Sequence, residues 1–407
     1  MSELTKRDDP YSQDKEKNRE RIVVGLSGSL DSLVSAYLLK IQKYDVFAVT
    51  VAIGWGGSEG DSSGELSCFI SDSRMESIQK FCKQLNIPHH IVKAFSEFED
   101  AVVEKWIAAK ATGSVSLACW SCHELRMKML HQKMKNLGIK NFATGHFAKI
   151  FHHEAHQTYY VHSSNDEEND QSSMIAKLPH EILTALKLPL SDLQKKEVLT
   201  LGENFGLTSY EKKIKMHKCF PDSNKTLEYF RKSVPKSFLE EGSVTELDES
   251  DNWGEHQGIY HYHYGQDMSA LTHGRSEKAY LTGISFKEKK LLIGNEDFFK
   301  RNRVLLVNCH FTEETKWLEP QKGVIKFRKD TFQDCWIYPK EHNSALIEWS
   351  EEEALKEGEV LTVFKKKGKN AKLLLTGITR FLPKDSVGEQ NEEDEVVDAK
   401  IDYTRSF

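Results

Sequence analysis

No apolar run in this 407-residue chain approaches the ~20 residues needed to cross a bilayer, so a helical membrane protein is excluded. The opening segment, MSELTKRDDPYSQDKEKNRE, lacks an apolar stretch and mixes acids with bases. It is expected to be neither a secretory signal nor a transit peptide, but a disordered cytoplasmic tail. Basic charge is not in excess: 56 Lys and Arg against 62 Asp and Glu leave a net charge of −6. That argues against a general nucleic-acid coat protein, whose affinity comes from neutralising many phosphates, and leaves room for a local basic groove. Cysteines number only seven, an odd count without a secretion signal, which points to reduced thiols rather than a disulfide framework. There is no Walker A lysine, no second Cys-x-x-Cys and no internal repeat. The length calls for two or three domains.

What is present begins with a rhythm. Strand-like runs at Ile22 to Leu26, Val46 to Ile53, His90 to Val92 and Asn141 to Thr144 alternate with helical patterns. Leu30, Leu33, Val34, Leu38 and Ile41 mark one such helix, and Met75, Ile78, Cys82 and Leu85 another, with Cys82 in the core. This is the signature of an α/β fold with a parallel sheet. After about residue 255 the texture becomes short alternating runs: Ile259–Tyr264, Ala279–Ile284, Leu291–Ile293, Val304–Val307, Val324–Phe327, Ala345–Trp349, Val360–Phe364 and Leu373–Ile378. These predict one or two small β domains. Beyond Pro383 an acidic tail reads as disordered.

The first strand runs straight into Ser27-Gly28-Ser29-Leu30-Asp31-Ser32 and then the first helix. A strand, a loop of small residues and a helix start together present N–H groups and a positive dipole end to an anion such as a nucleotide phosphate. Asp31 beside phosphates implies a divalent cation or a capping role. The alternative is an ordinary serine-capped turn. The loop resembles the SGGxDS loop of the PP-loop ATP pyrophosphatases, which adenylate a carbonyl oxygen and release pyrophosphate. Ser29 stands where that loop has its second glycine; a side chain there costs on the order of 1 kcal/mol if φ is positive and crowds the phosphate.

Cys119 and Cys122 form Cys-Trp-Ser-Cys before a helix expected over His123 to Leu137, and Cys219 lies in Met-His-Lys-Cys-Phe-Pro. A thiol at a helix N-terminus near Arg126 is acidified into a nucleophile, a description Cys122 fits best. A zinc half-site completed by Cys219 and His123, a thioredoxin-like redox pair, and three core cysteines stand beside that reading. A basic stretch (Lys212, Lys213, Lys215, Lys218, Lys225, Arg231, Lys232, Lys236) fits an RNA backbone or a solvated helix face equally. His261 and His263, alternating with Tyr260, Tyr262 and Tyr264, read as one face of a half-buried strand rather than a metal site. Trp55, in Gly-Trp-Gly-Gly after a strand, fits an adenine pocket or a lid. Cys68, Cys309 and Cys335 have no evident partners.

Further motifs follow in order: Ala143-Thr144-Gly145-His146-Phe147-Ala148, Asn169-Asp170-Gln171-Ser172, Pro189-Leu190-Ser191-Asp192-Leu193, Cys219-Phe220, Gly254-Glu255-His256-Gln257-Gly258 with Tyr264-Gly265-Gln266, and Glu357–Val360 through Leu375–Ile378. Together they resemble the tRNA-specific 2-thiouridylases of the MnmA/TrmU type over roughly residues 20 to 383. The chain departs from that pattern at Ser29, at Leu117-Ala118 where the family has Asn-Pro, at His123 where it has Asn, and at His217-Lys218 where a glycine precedes the second cysteine.

The resemblance implies an N-terminal PP-loop domain (adenine nucleotide alpha hydrolase-like) over residues 21–215, a small central tRNA-binding domain over 216–300 and a C-terminal β-barrel over 301–383, between tails 1–20 and 384–407. It also implies ATP with Mg2+ bound by Leu26, Ser27, Gly28, Ser29, Leu30, Asp31 and Ser32. Gly145 and His146 would border the pocket, with Asp170 and Gln171 shaping it. Cys219 would carry a persulfide, and Cys122 would release its sulfur through a transient disulfide. Expected partners are the tRNA anticodon stem-loop, its wobble uridine flipped into the cleft, and a persulfide donor or relay protein. A non-catalytic RNA-binding or sulfur-carrying relative and a PP-loop ligase for another acceptor are the alternatives.

Overall fold

The structure, a computed structural model, describes residues 19–54, 70–111, 113, 117–154, 158–210, 220, 224–234, 236–246, 252–271, 278–312, 319–327 and 331–381. Strand β1 (Arg21–Gly25) buries Ile22, Val23 and Val24 completely, as a central parallel strand covered on both faces must. It leads into helix α1 (Leu30–Ile41), strand β2 (Asp45–Ala52), helix α2 (Asp72–Gln84) and strand β3 (His89–Lys93). An irregular helical stretch comprises α3 (Phe95–Phe98), a π-helical turn (Glu99–Val103) and α4 (Glu104–Ala111). Helix α5 (Ala118–Asn136) then precedes strand β4 (Asn141–Ala143).

Strands alternate their side chains between faces, and the core divides accordingly. Ile22 and Val24 pack with Leu30, Leu33 and Ile78 of α1 and α2, whereas Val23 packs with Leu125, Leu130 and Phe142 under α5. A hairpin of β5 (Lys149–His153) and β6 (Thr158–His162) follows, then α6 (Ser172–Ala176), α7 (His180–Ala185), the two-residue strand β7 (Leu186–Lys187), α8 (Lys195–Asn204) and α9 (Asn224–Ser233). The parallel sheet has the order β3-β2-β1-β4-β7.

A second sheet, β10-β11-β8-β9, is built from β8 (Gly242–Glu246), β9 (Asn252–His256), β10 (Tyr280–Ser285) and β11 (Lys290–Gly294). His256 is fully buried at its edge, with Nε2 at 2.9 Å from the Lys289 carbonyl and Nδ1 accepting from Gly258 N–H. The strand expected over Ile259–Tyr264 is a 3-10 turn at Ile259–His261, so His261 and His263 do not share a strand face. Tyr260 stacks on Phe230 in the core of the parallel-sheet domain, while Tyr262 enters the core of the small sheet. The alternating tyrosines thus bridge two cores.

The last six strands close a barrel in the order β12-β15-β14-β13-β16-β17. They are β12 (Lys300–Phe311), β13 (Gln321–Lys326), β14 (Phe332–Lys340), β15 (Ser344–Ala354), β16 (Val360–Phe364) and β17 (Leu373–Arg380). Val304, Leu306, Ile325, Ile337, Ile347, Val363 and Leu375 fill the interior. An α/β domain with a parallel sheet and a C-terminal barrel is therefore the observed fold. Among the described residues no helix is long and apolar enough to cross a membrane.

The barrel docks on the first domain through the β16–β17 turn. Ser163, after β6, donates its N–H to the Ala371 carbonyl (2.9 Å), and its hydroxyl accepts from Ala371 N–H (2.8 Å) and donates to the Gly368 carbonyl (3.1 Å). Both Ser163 and Ala371 are buried. Ser163→Ala strands a buried amide and is expected to lower unfolding free energy by about 1–3 kcal/mol. Urea denaturation of the variant reads this directly, and an unchanged midpoint would show the contact to be dispensable.

Candidate active site

Strand β1 has β2 on one side and β4 on the other, so the connections leaving it diverge and open a crevice at the carboxyl ends, the place where open α/β sheets take ligands. Leu26 N–H still bonds to the Val49 carbonyl at 2.9 Å, and the loop begins only after it. Gly28 takes φ +80°, and a Cβ there would lie 2.8 Å from Cγ of Arg74. Arg74, in the first turn of α2, is a buried cation whose stem lies against the loop. Sequence reading passed over it.

The strain expected at Ser29 is absent. Its φ is −76°, and it N-caps α1 by accepting from Ser32 N–H; the left-handed residue is Gly28. What Ser29 does is fill the loop. Its hydroxyl lies 3.0 Å from that of Ser27, while the Ser32 hydroxyl donates to the Ser29 carbonyl (2.8 Å) and accepts from Ser27 N–H (3.3 Å). Leu26 and Leu30 are buried in the core and offer the loop only their backbones.

Asp31, in the first helical turn, pairs with Lys195 Nζ at 2.5 Å. Lys195 opens α8 just past the Pro189–Leu193 motif, and its own N–H donates to Asp166 Oδ2 at 2.7 Å. Burial pulls the Asp166 carboxyl up, but bonds from the amides of Lys195 and Asn169 and the Asn169 side chain hold it below the usual range. A lysine thus occupies the position of a counter-charge to Asp31, and nothing in its local spacing announced it. Among the described residues no three His, Cys, Asp or Glu side chains cluster as a metal site. Asp31, here paired with Lys195, is the carboxylate that would hold a Mg2+ at this loop.

The loop after β4 closes the other wall. A Cβ on Gly145 would lie 2.8 Å from both the carbonyl carbon and oxygen of Asp31, so only glycine lets the two loops meet. Gln171 clasps Phe147, two residues on: its N–H donates to the Phe147 carbonyl (2.8 Å), and its side-chain oxygen accepts from Phe147 N–H (3.0 Å). Asp170 accepts from Ser164 N–H (2.8 Å) and the Ser172 hydroxyl (2.7 Å). Burial lifts its carboxyl above the usual range against those bonds. In the structure these two residues brace the loop.

His146 Nδ1 is 2.8 Å from the Thr144 hydroxyl, and its ring meets that of His123 edge to face at 4.9 Å. Burial lowers His146 to about 4 and lowers His123 well below its ordinary value, with the charges of His146 and Arg126 adding to the effect on His123. His123 Nε2 is buried with no hydrogen-bond partner among the described residues, leaving one polar atom for a ligand.

Helix α5 begins at Ala118, earlier than expected, so Cys122 lies inside it rather than at its open end. Cys119 occupies the first turn and is exposed, while Cys122 is buried. Cys122 is a free thiol. Cys122 belongs to the same apolar cluster as Trp106 and Phe220, whose rings stack at 4.2 Å. Cys219, Cys68, Trp55 and residues 211–219 of the basic stretch lie outside the described residues; Arg231, Lys232 and Lys236 are exposed. Cys82, Cys309 and Cys335 are core thiols pushed up to about 12 by burial.

Loop and sheet define an α/β protein of the HUP type. Residues 20–223 match the family described as tRNA methyl transferase HUP domain. The chain is similar to tRNA-specific 2-thiouridylase MnmA of Clostridium beijerinckii (28% identical over 296 residues, 72% of this chain and 80% of the relative). It is likewise similar to that of Gloeothece citriformis (30% over 278 residues, 68% and 75%). Among solved structures, a 4-thiouridine synthetase–RNA complex with bound ATP shows a slight likeness (TM-score 0.33, 14% identity, covering 53% of this chain and 51% of that one). The chain belongs to the MnmA family of tRNA-specific 2-thiouridylases.

Because the folded pKa of His146 lies below its ordinary 6.5, the unfolded chain takes up the proton first as pH falls. The stability tied to the neutral ring is intact above about pH 6.5 and lost progressively toward pH 4, by about 3 kcal/mol. Denaturation of the wild type and His146→Gln at neutral and acid pH should show a smaller acid loss in the variant. Equal losses would refute a half-buried imidazole held neutral.

Proposed function

We propose that this chain is an ATP-dependent tRNA sulfurtransferase that 2-thiolates the wobble uridine in the cytoplasm. The observation that carries the reading is a shared location. The anion loop lies at the switch point, helix α5 packs its Leu130 against Gly25 at the end of β1, and the same helix carries Cys122 into a cluster with Phe220, the residue after Cys219.

In this reading the loop amides, Arg74 and Lys195 hold the phosphates of ATP; Asp31 would hold a Mg2+ in exchange for its pairing with Lys195, and the ion would supply charge neutralisation for the departing pyrophosphate. Gly145 and His146 wall the pocket. The 2-oxygen of the flipped uridine attacks the α-phosphorus, an O–P bond forms and pyrophosphate leaves. The terminal sulfur of a persulfide on Cys219 then attacks C2, and the C2–O bond breaks to release AMP. Cys122 as thiolate attacks Sγ of Cys219; the S–S bond to the transferred sulfur breaks, its electron pair stays with the new thiocarbonyl, and a Cys122–Cys219 disulfide forms. A thiol reductant reopens that disulfide, and a persulfide donor or relay protein reloads Cys219. The anticodon stem-loop is the proposed substrate, lying across domains 21–215, 216–300 and 301–383.

A non-catalytic RNA-binding relative is the second reading. It is favoured by the Ser29 hydroxyl, which fills the loop and bonds within it. Pyrophosphate release from ATP that depends on tRNA decides between the two; none, with tRNA binding intact, selects the second. With a persulfide donor supplied, Cys122→Ser and Cys219→Ser are each expected to abolish 2-thiouridine in tRNA digests while retaining pyrophosphate release. A variant that still thiolates would remove that cysteine from the mechanism.

A further inference from the structure

The turn between β16 and β17 reads Lys365-Lys366-Lys367-Gly368-Lys369-Asn370-Ala371-Lys372, five lysines in eight residues of a chain whose net charge is −6. Such a concentration is unfavourable in isolation, since like charges repel within a Debye length of about 8–10 Å. Lys365, Lys366, Lys367 and Lys369 are exposed, and none of the four forms an ion pair among the described residues. Lys367 and Lys326 approach one ring, Phe332, with their ammonium groups 5.3 and 5.5 Å from its centroid.

The turn is also held rigidly. Lys365 N–H bonds to the Lys372 carbonyl at 2.8 Å, His162 Nδ1 lies 3.1 Å from the Asn370 carbonyl, and Ser163 fastens Gly368 and Ala371 as described above. Burial lowers the His162 pKa, the bond to Asn370 opposes this, and Lys372, Lys149 and Lys366 reinforce the lowering, so their positive field converges there. Against His162, edge to face at 4.5 Å, stands Phe151, a ring 46% exposed. Of the four acids of the adjoining loop, Asp166 and Asp170 are engaged by backbone amides and side-chain donors, and Glu167 and Glu168 stand between them. That loop runs back through Asp166 and Lys195 to Asp31, so the lysine turn adjoins the cleft wall.

We propose that the β16–β17 lysine turn, with Phe151 as a stacking face beside it, is the RNA-backbone clamp of this protein. The ammonium groups take successive phosphates of a stem-loop, and Phe151 takes an unpaired base, the combination by which proteins hold single-stranded RNA and loops. The identity of the RNA as tRNA rests on the function proposed above; the clamp itself does not.

The test is fluorescence anisotropy of full-length protein with labelled tRNA transcript and an unrelated RNA hairpin, across a salt series. The variants are Phe151→Ala and the quadruple Lys365→Gln, Lys366→Gln, Lys367→Gln, Lys369→Gln. The four lysines are solvent-exposed, so thermal melting of the quadruple variant should match the wild type. Its affinity for both RNAs should fall about tenfold or more, and the slope of log K against log salt should flatten by about 3–3.5, near 0.7–0.9 for each of four lost phosphate contacts. Phe151→Ala should weaken binding of looped RNA and spare a blunt duplex. Unchanged affinity and slope in the quadruple variant would overturn the clamp, as would loss of binding to anionic lipid vesicles without loss for RNA. A wild type that binds hairpins through the turn yet forms no 2-thiouridine would leave the clamp standing and sink the sulfurtransferase.

Discussion

Gly145 meets the first turn of α1 backbone to backbone, and the geometry of the cleft depends on that contact. A single added carbon would stand 2.8 Å from the Asp31 carbonyl, and backbone cannot yield as a side-chain tip can. With the exit loops of β1 and β4 pressed together, the anion loop, His146 and the start of α8 fall around one crevice. Gln171 then holds Phe147 by two bonds, and Lys195 reaches Asp31. Each later contact presupposes the first. The five-stranded sheet sets the distance between the two loops, and glycine sets how closely they close.

Charge within the crevice is arranged against the average of the chain. A protein with an acidic surplus places Arg74 and Lys195 at its anion loop and engages Asp166 and Asp170 in hydrogen bonds to amides and side-chain donors. His123 and His146 add polarity without charge, because burial keeps both rings neutral near pH 7. An anion entering this site meets positive and neutral donors, with Asp31 already paired. The lysine turn of the barrel extends the same positive character beyond the crevice. Net charge describes how a molecule behaves at long range; binding follows the local field.

The parallel sheet was legible because its strands carry near-continuous apolar runs, Ile22-Val23-Val24 above all, which buried parallel strands require. Most barrel strands showed through the same pattern, but β14 did not: only Cys335 and Ile337 point firmly inward, and Asp334 and Trp336 face out. The hairpin β5–β6 was hidden by its histidines and tyrosines. Tyr260 and Tyr262 misled in the opposite sense, since two rings bound for two different cores imitate a strand's period of two. At the site, the anion loop was readable as a local motif, whereas the conformation within it was not. Positive φ fell on Gly28, leaving Ser29 unstrained as a helix cap.

By itself the sequence determined the local elements: an apolar strand, a small-residue loop, a helix that starts on a serine, and a run of lysines that no other segment matches. Those follow from interactions a few residues long, which the order of side chains specifies. Tertiary structure alone decided which charges meet. Lys195 and Asp31 are 164 positions apart, Ser163 and Ala371 are 208 apart, and neither pair is marked by any spacing along the chain. They are brought together by the packing of a sheet edge, a loop and a barrel, whose apolar burial supplies the free energy that holds polar partners in register.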